Sequence, residues 1–241
     1  EYITIKKDSI DISGYPTHNK NIVDEVISQA VIPNLDVLKK LPKNKIVNEL
    51  TILTFNIYQT YIGKSFYRWG GDIFDLDDPQ AESVRFTKSY GLDCSGFATS
   101  GYELAVYYNL LSPNEALFSS KGFSAYCLLN NLKDSGGRDD TPNNYRVDTK
   151  ELAFLGEEIF KINRNTSLDD HQIKQLQAGD IMGKNGHFGI IVEINNQLYY
   201  LESGGWVLSK NEQKPVPIKE AIVGFAKHGP IYIRRCLPRT D

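Results

Sequence analysis

Residues 93–97 read Asp-Cys-Ser-Gly-Phe, and residues 186–190 read Gly-His-Phe-Gly-Ile. The first stretch sets a cysteine where a helix opens, because Ser95 to about Leu110 has helical period, with Phe97, Tyr102, Leu104, Ala105 and Tyr108 as candidate buried positions. The second sets a histidine where a strand opens: Phe188 to Ile194 is apolar and β-branched, Asn195-Asn196 signals a turn, and Leu198 to Leu201 runs back. A helix followed by an antiparallel hairpin predicts an α+β fold.

Working outward, Ile46, Leu50, Leu53, Ile57 and Tyr61 recur at the spacing of one helix face over Lys45 to Tyr61, and Ile231 to Ile233 offers a last strand. Residues 1–44 combine a β-like start, Tyr2 to Ile5, with an apolar-periodic segment, Ile22 to Ile32, punctuated by Pro33 and Pro42. They are expected to form an extension packed on a main domain spanning 45–241. Asp75 to Tyr90 is polar loop, residues 112–126 lead to a short helix, and Lys133 to Asn144 is rich in turn formers. An insertion is therefore expected around 112–170.

The chain has 241 residues, enough to bury a sizeable core in one domain. Its 27 basic and 30 acidic side chains leave a net charge of -3, which supplies no electrostatic drive toward nucleic acid or an anionic membrane. No stretch is long and apolar enough to span a bilayer, and the opening Glu1-Tyr2-Ile3-Thr4 has no signal-peptide pattern, so an export signal was either removed or never present. Three cysteines are too few for a disulfide framework, although Cys127 and Cys236 could pair.

A thiol at a helix N-terminus is biased toward thiolate by the unpaired N–H groups and the positive end of the helix dipole. Cys94 has that predicted position, and its own N–H could donate to the oxyanion of a tetrahedral intermediate. A buried structural cysteine is the bland alternative; the polar neighbours Asp93 and Ser95 point instead to a cleft. Of the four histidines, only His187 opens an apolar strand, whereas His18, His171 and His228 lie in polar or turn-forming sequence. A two-residue turn at Asn195-Asn196 would set His187 opposite Gly204, with Glu202 and Tyr200 on its face of the sheet. Glu202 is the nearer ionisable group to orient the base, and Tyr200 is second. A one-residue bulge would bring Leu201 and Ser203 to that face instead. Metal-ligand spacings and phosphate-binding loops are absent from the sequence.

Four blocks in order, Gly63-Lys64-Ser65-Phe66-Tyr67-Arg68-Trp69-Gly70-Gly71, Asp93-Cys94-Ser95-Gly96-Phe97, Leu176-Gln177-Ala178-Gly179-Asp180 and Gly186-His187-Phe188-Gly189-Ile190-Ile191-Val192, resemble the NlpC family of papain-like cysteine peptidases. The resemblance covers roughly Lys45 to Ser209. It implies a papain-like core, a Cys94 nucleophile, a His187 base, no cofactor, and a peptidoglycan-derived peptide as substrate, often cut after γ-D-glutamate. It further implies that Tyr67, Asp93 and Ser95 grip a free N-terminal amine, although Asp93 and Ser95 could instead simply cap the helix. Trp69-Gly70-Gly71 reads as structural. A cell-envelope or secreted location follows from the same likeness.

Members commonly have histidine as the third polar residue. Counting forward from the turn without gaps puts Tyr200 there, and allowing two extra residues puts Glu202. The missing histidine motivates a second reading, a catalytically silent cell-wall binding module. Acyl transfer on another substrate, as in permuted relatives, is disfavoured because those place histidine before cysteine.

Overall fold

The computed structural model describes residues 2–4, 31–33, 35–61, 66–67, 92–112, 149–153, 155–184, 186–204 and 213–237. The Trp69-Gly70-Gly71 turn, the Asp75–Tyr90 loop, the expected short helix before residue 126, the turn-rich Lys133–Asn144 stretch, His18 and Cys127 lie outside them. The described residues form an α+β structure whose centre is an antiparallel sheet.

In chain order the elements are strands β1 (Tyr2–Thr4) and β2 (Val31–Pro33), helices α1 (Leu35–Leu38), α2 (Lys43–Tyr61), α3 (Cys94–Tyr107) and α4 (Thr149–Leu152), then strand β3 (Glu157–Ile162). Helix α5 (Asp170–Ile173), strands β4 (Ile181–Lys184), β5 (His187–Ile194), β6 (Gln197–Leu201) and β7 (Val216–Pro217), helix α6 (Ile218–Ala226) and strand β8 (Ile231–Arg235) complete them. Strands β1 and β2 pair with each other, and the main sheet runs β3-β8-β4-β5-β6-β7, antiparallel throughout.

The β5–β6 hairpin turns at Asn195 and Asn196, whose φ values of 52° and 61° are the left-handed pair that a two-residue turn of matching twist requires. Its register sets Ile194 against Gln197, Ile191 against Tyr200 and Ile190 against Leu201, as the turn predicts and with no bulge. Side chains alternate accordingly. Phe188, Ile190, Val192 and Leu201 join the core shared with α2 and α3, while Ile191 and Tyr200 join the core under α6. Helix α6 buries Ile218, Ala221, Ile222, Phe225 and Ala226, one stripe at helical spacing that the sequence reading passed over.

Two expectations need correction. Strand β3 lies inside the stretch read as an insertion, yet it pairs along β8 and belongs to the sheet. The buried face of α2 centres on Val47, Leu50, Thr51, Thr54 and Tyr58, and Leu53 and Ile57 sit only at its margin. Small hydroxyl residues made that difference, since Thr51 and Thr54 return their hydroxyls to Val47 and Leu50 carbonyls and so enter an apolar interface without an unmet polar group. Val31–Pro33, at the end of the Ile22–Ile32 pattern, forms β2, residues 22–30 lie outside the described residues, and Leu38, inside the expected extension, is part of the main core. Cys236 packs at the margin of that core, and its suggested partner, Cys127, lies outside the described residues.

Helices and sheet are locked by polar contacts. The Asn48 side chain accepts from the Glu193 N–H at 2.7 Å and donates to the Glu193 carbonyl at 3.1 Å, acting as a strand partner where β4 no longer covers β5. Arg235 donates twice to Asp180, at 2.7 Å from Nε and from Nη2, both residues being buried. Despite burial, which alone would lower it, the Asp180 contact raises the Arg235 pKa further above its ordinary value. Next to Asp180, the Gly179 carbonyl accepts the Tyr102 hydroxyl from α3 at 2.6 Å. Asp180→Asn leaves the guanidinium buried without a counter-charge and is expected to cost about 3–5 kcal/mol in urea unfolding. A loss below about 1 kcal/mol would mean that Arg235 finds another partner.

Candidate active site

Asp93 precedes α3 in extended geometry, and its Oδ1 accepts from the Gly96 N–H at 2.8 Å, so it is the N-cap. The same oxygen accepts the Ser95 hydroxyl at 2.9 Å. Cys94 therefore stands at the first helical position, at the positive end of a fourteen-residue helix. Both capping residues and the cysteine are buried. The capping role weighed for Asp93 from sequence is thus real, and Ser95 bonds to the cap.

His187 opens β5, where the preceding Gly186 N–H donates to Thr149 Oγ1 of α4 at 3.1 Å. His187 Nε2 lies 2.7 Å from Glu202 Oε2, with the two side chains 3% and 5% exposed. The hairpin register explains the meeting: Glu202 follows Leu201 just past the ladder, two residues beyond Tyr200 on the same face. A neutral ring donating from Nε2 to the carboxylate carries its lone pair on Nδ1, the nitrogen then suited to take a proton from a nucleophile. Phe225 of α6 lies 5.9 Å from the imidazole, centroid to centroid, and walls that face from water.

Tyr200, the second candidate orienter, is fully buried and packs edge-on against Phe225. Its hydroxyl lies over Gly189, where a Cβ would come within 2.6 Å of it. No bond to that hydroxyl has ordinary hydrogen-bond geometry among the described residues, yet it lies near the Glu202 carboxylate. Burial first, then the charge and hydrogen bonding of Glu202, then Cys94, push its pKa well above 10.0. Of the two candidates, Glu202 makes the contact to His187.

Cysteine and histidine segments are tied through their backbones. The Ser203 hydroxyl, next to Glu202, donates at 2.6 Å to the carbonyl of Leu92, two residues before Cys94. Leu92 in turn forms a parallel bridge with Tyr67. At Gly204, with φ 118°, an added Cβ would lie 3.2 Å from the Tyr67 ring and 3.3 Å from His187 Cε1, so the turn brings these two rings to either side of one glycine. All six residues singled out from sequence, Tyr67, Asp93, Cys94, Ser95, His187 and Glu202, thereby fall on connected segments. Thr149 and Gln213, which support them, have no signal in the sequence reading. Ser203 enters that reading only as the residue a bulge would bring to the histidine face, whereas it serves the opposite face.

Among the described residues no three His, Cys, Asp or Glu side chains group so as to hold a metal ion, and no helix is long and apolar enough to cross a membrane. Comparison of the chain with protein-family models, with curated proteins and with solved structures finds no match in any of the three.

The geometry separates the two orienter candidates experimentally. In any assay that depends on His187, Glu202→Gln is expected to lower turnover about tenfold or more, whereas Tyr200→Phe, which leaves the His187–Glu202 contact in place, keeps turnover near wild type. A collapse in Tyr200→Phe with wild-type rates in Glu202→Gln would transfer the role to Tyr200.

Proposed function

We propose that this chain is a cysteine peptidase or amidase of the NlpC type, with a papain-like arrangement of nucleophile and base. The observation that carries the reading is the buried 2.7 Å contact of His187 with Glu202, on a segment tied through Ser203 to the approach to a cysteine at a helix N-terminus. A histidine held by a carboxylate, on a segment tethered to one that carries a thiol at a helix N-terminus, supports nucleophilic acyl transfer.

In this reading the Cys94 thiol passes its proton to His187 Nδ1, and the thiolate attacks an amide carbonyl carbon. The carbonyl oxygen gains the negative charge, which the Cys94 N–H at the start of α3 stabilises. The C–N bond breaks as His187 returns the proton to the leaving amine, and Cys94 is left as a thioester. Water, deprotonated by the same imidazole, then releases the acid and regenerates the thiol. Glu202 stays charged and stabilises the imidazolium in both half-reactions.

The substrate class rests on the family resemblance: peptidoglycan stem peptides, cut between γ-D-glutamate and the diamino acid. Tyr67, Asp93 and Ser95 would receive the free amine of such a peptide, since a carboxylate and two hydroxyls match the three donors of an ammonium. Capping and amine binding are compatible, because a carboxylate accepts several hydrogen bonds at once. A cell-envelope or secreted location follows from the same substrate.

Purified protein incubated with defined muropeptides is expected to cleave a γ-D-glutamyl link, with turnover abolished in Cys94→Ala and nearly so in His187→Ala. No Cys94-dependent cleavage of any common stem peptide would sink the peptidase reading. If the Cys94 thiol also titrates near the ordinary value of about 8.5, the chain is a binding module that keeps the fold without turnover.

A further inference from the structure

Gln213 lies outside every element, just before β7, yet it is 3% exposed and every polar atom of its side chain is engaged. Its Oε1 accepts from the Phe66 N–H at 2.8 Å, and its Nε2 donates to Ser203 Oγ at 2.9 Å. Its own carbonyl accepts from Gln59 Nε2 of α2, which holds the residue to the helical layer. Ser203 passes the connection on, donating at 2.6 Å to the Leu92 carbonyl. The Leu92 N–H closes the set by donating to the Phe66 carbonyl at 3.0 Å.

One amide side chain thus joins three stretches remote in sequence: the approach to Tyr67, the approach to Cys94, and the segment carrying Glu202. We infer that Gln213 is a positioning residue for the site, whose amide fixes Cys94 against the His187–Glu202 pair through Ser203 and Leu92, and Tyr67 through Phe66. The inference rests on the peptidase reading and deepens it. The physical ground is the directionality of the relay. The Ser203 hydroxyl has one proton and gives it to Leu92, so it must accept from elsewhere, and only the NH₂ end of Gln213 supplies that donor while the carbonyl end is held by Phe66. The two ends of the amide are therefore not interchangeable, and its orientation is fixed from both sides. Small displacements of a nucleophile relative to its base are costly in rate, which is why a support this distant from the reacting atoms matters.

The two arms can be cut separately. Gln213→Glu keeps an acceptor for Phe66 but, ionised, cannot donate to Ser203. Gln213→Met keeps the length and removes both arms. For the full chain acting on a stem peptide with a free amine, Gln213→Glu is expected to lower kcat about tenfold or more with KM little changed, and Gln213→Met to lower kcat and also raise KM. Iodoacetamide labelling of Cys94 across pH supplies a readout that needs no substrate. The peptidase reading expects a depressed thiol pKa in the wild type, and that pKa should move toward the ordinary value in both variants and in Ser203→Ala, a smaller change that serves if the Gln213 variants do not fold.

If the wild-type thiol is depressed and depends on His187, but labelling profiles and kcat in the folded variants match wild type, the inference is wrong and the peptidase reading stands. A loss of thermal stability without those changes likewise overturns it, leaving Gln213 a structural brace. If the wild-type thiol itself titrates as an ordinary one and nothing is cleaved, the peptidase reading fails and takes this inference with it.

Discussion

The structure depends on the corner at Gly179 and Asp180, where the helical layer and the sheet are held to one another. Arg235 from β8 grips the Asp180 carboxylate with two charge-assisted hydrogen bonds, and its Nη2 also donates to the Gln175 carbonyl. The Asp180 carbonyl accepts from Ile191 of β5, the Gly179 N–H donates to the Ile191 carbonyl, and the Gly179 carbonyl receives Tyr102 from α3. Burial holds the Tyr102 pKa well above 10.0, so this donor keeps its proton. A buried ion pair contributes little net stability against an apolar substitute, because both charges lose their water. What it contributes here is position: β8 cannot slide past the Asp180 corner without stranding a charge, and neutral hydrogen bonds tie α3, through Tyr102, and β5, through Ile191, to that same corner. The helix bearing Cys94 and the strand opening at His187 are thereby set at a fixed offset.

A second constraint acts within the sheet. Two asparagines in left-handed conformation make the shortest turn whose twist suits a hairpin, and a turn of that length leaves one register. Everything on the His187 face follows by alternation: Ile191 and Tyr200 into the α6 core, then Glu202 at the imidazole. The other face carries Leu201 into the α3 core and Ser203 to Leu92. Adjacent residues thus serve opposite sides of the sheet, Glu202 orienting the histidine and Ser203 tethering the approach to the cysteine. A slip of one residue would exchange them and break both connections.

These local rules explain what could be read in advance. The helix start at Cys94, the hairpin and the Glu202 assignment each follow from residues within a few positions of one another: an N-cap, a turn pair, an alternation. The failures have the opposite character. Gln213 meets Phe66 across 147 positions, and Arg235 meets Asp180 across 55, with no periodicity to announce either. Strand β3 was absorbed into an insertion because its neighbour in the sheet, β8, comes some seventy residues later, and only that pairing identifies it. On α2 the apolar stripe was traced through Leu53 and Ile57, whereas the helix turns threonines inward once their hydroxyls are satisfied locally. Helix α6 is different in kind: its stripe was legible, and it supplies Phe225, the wall behind His187.

In the proposed mechanism, a carboxylate at the third position has consequences that a neutral group there would not. It would stabilise the imidazolium formed when the ring accepts the proton of the thiol. The same charge opposes a thiolate nearby, which must then draw on the start of α3 for stabilisation. Asp93 complicates that balance, because its carboxylate caps the very helix end whose positive potential the thiolate needs. Its charge is already engaged by the Gly96 N–H and the Ser95 hydroxyl, which turns it into part of the helix terminus. An incoming ammonium at Tyr67, Asp93 and Ser95 would offset the remaining negative charge beside Cys94. In such a site substrate binding and thiol activation are coupled through electrostatics, and a peptide lacking the free amine would lose rate as well as affinity.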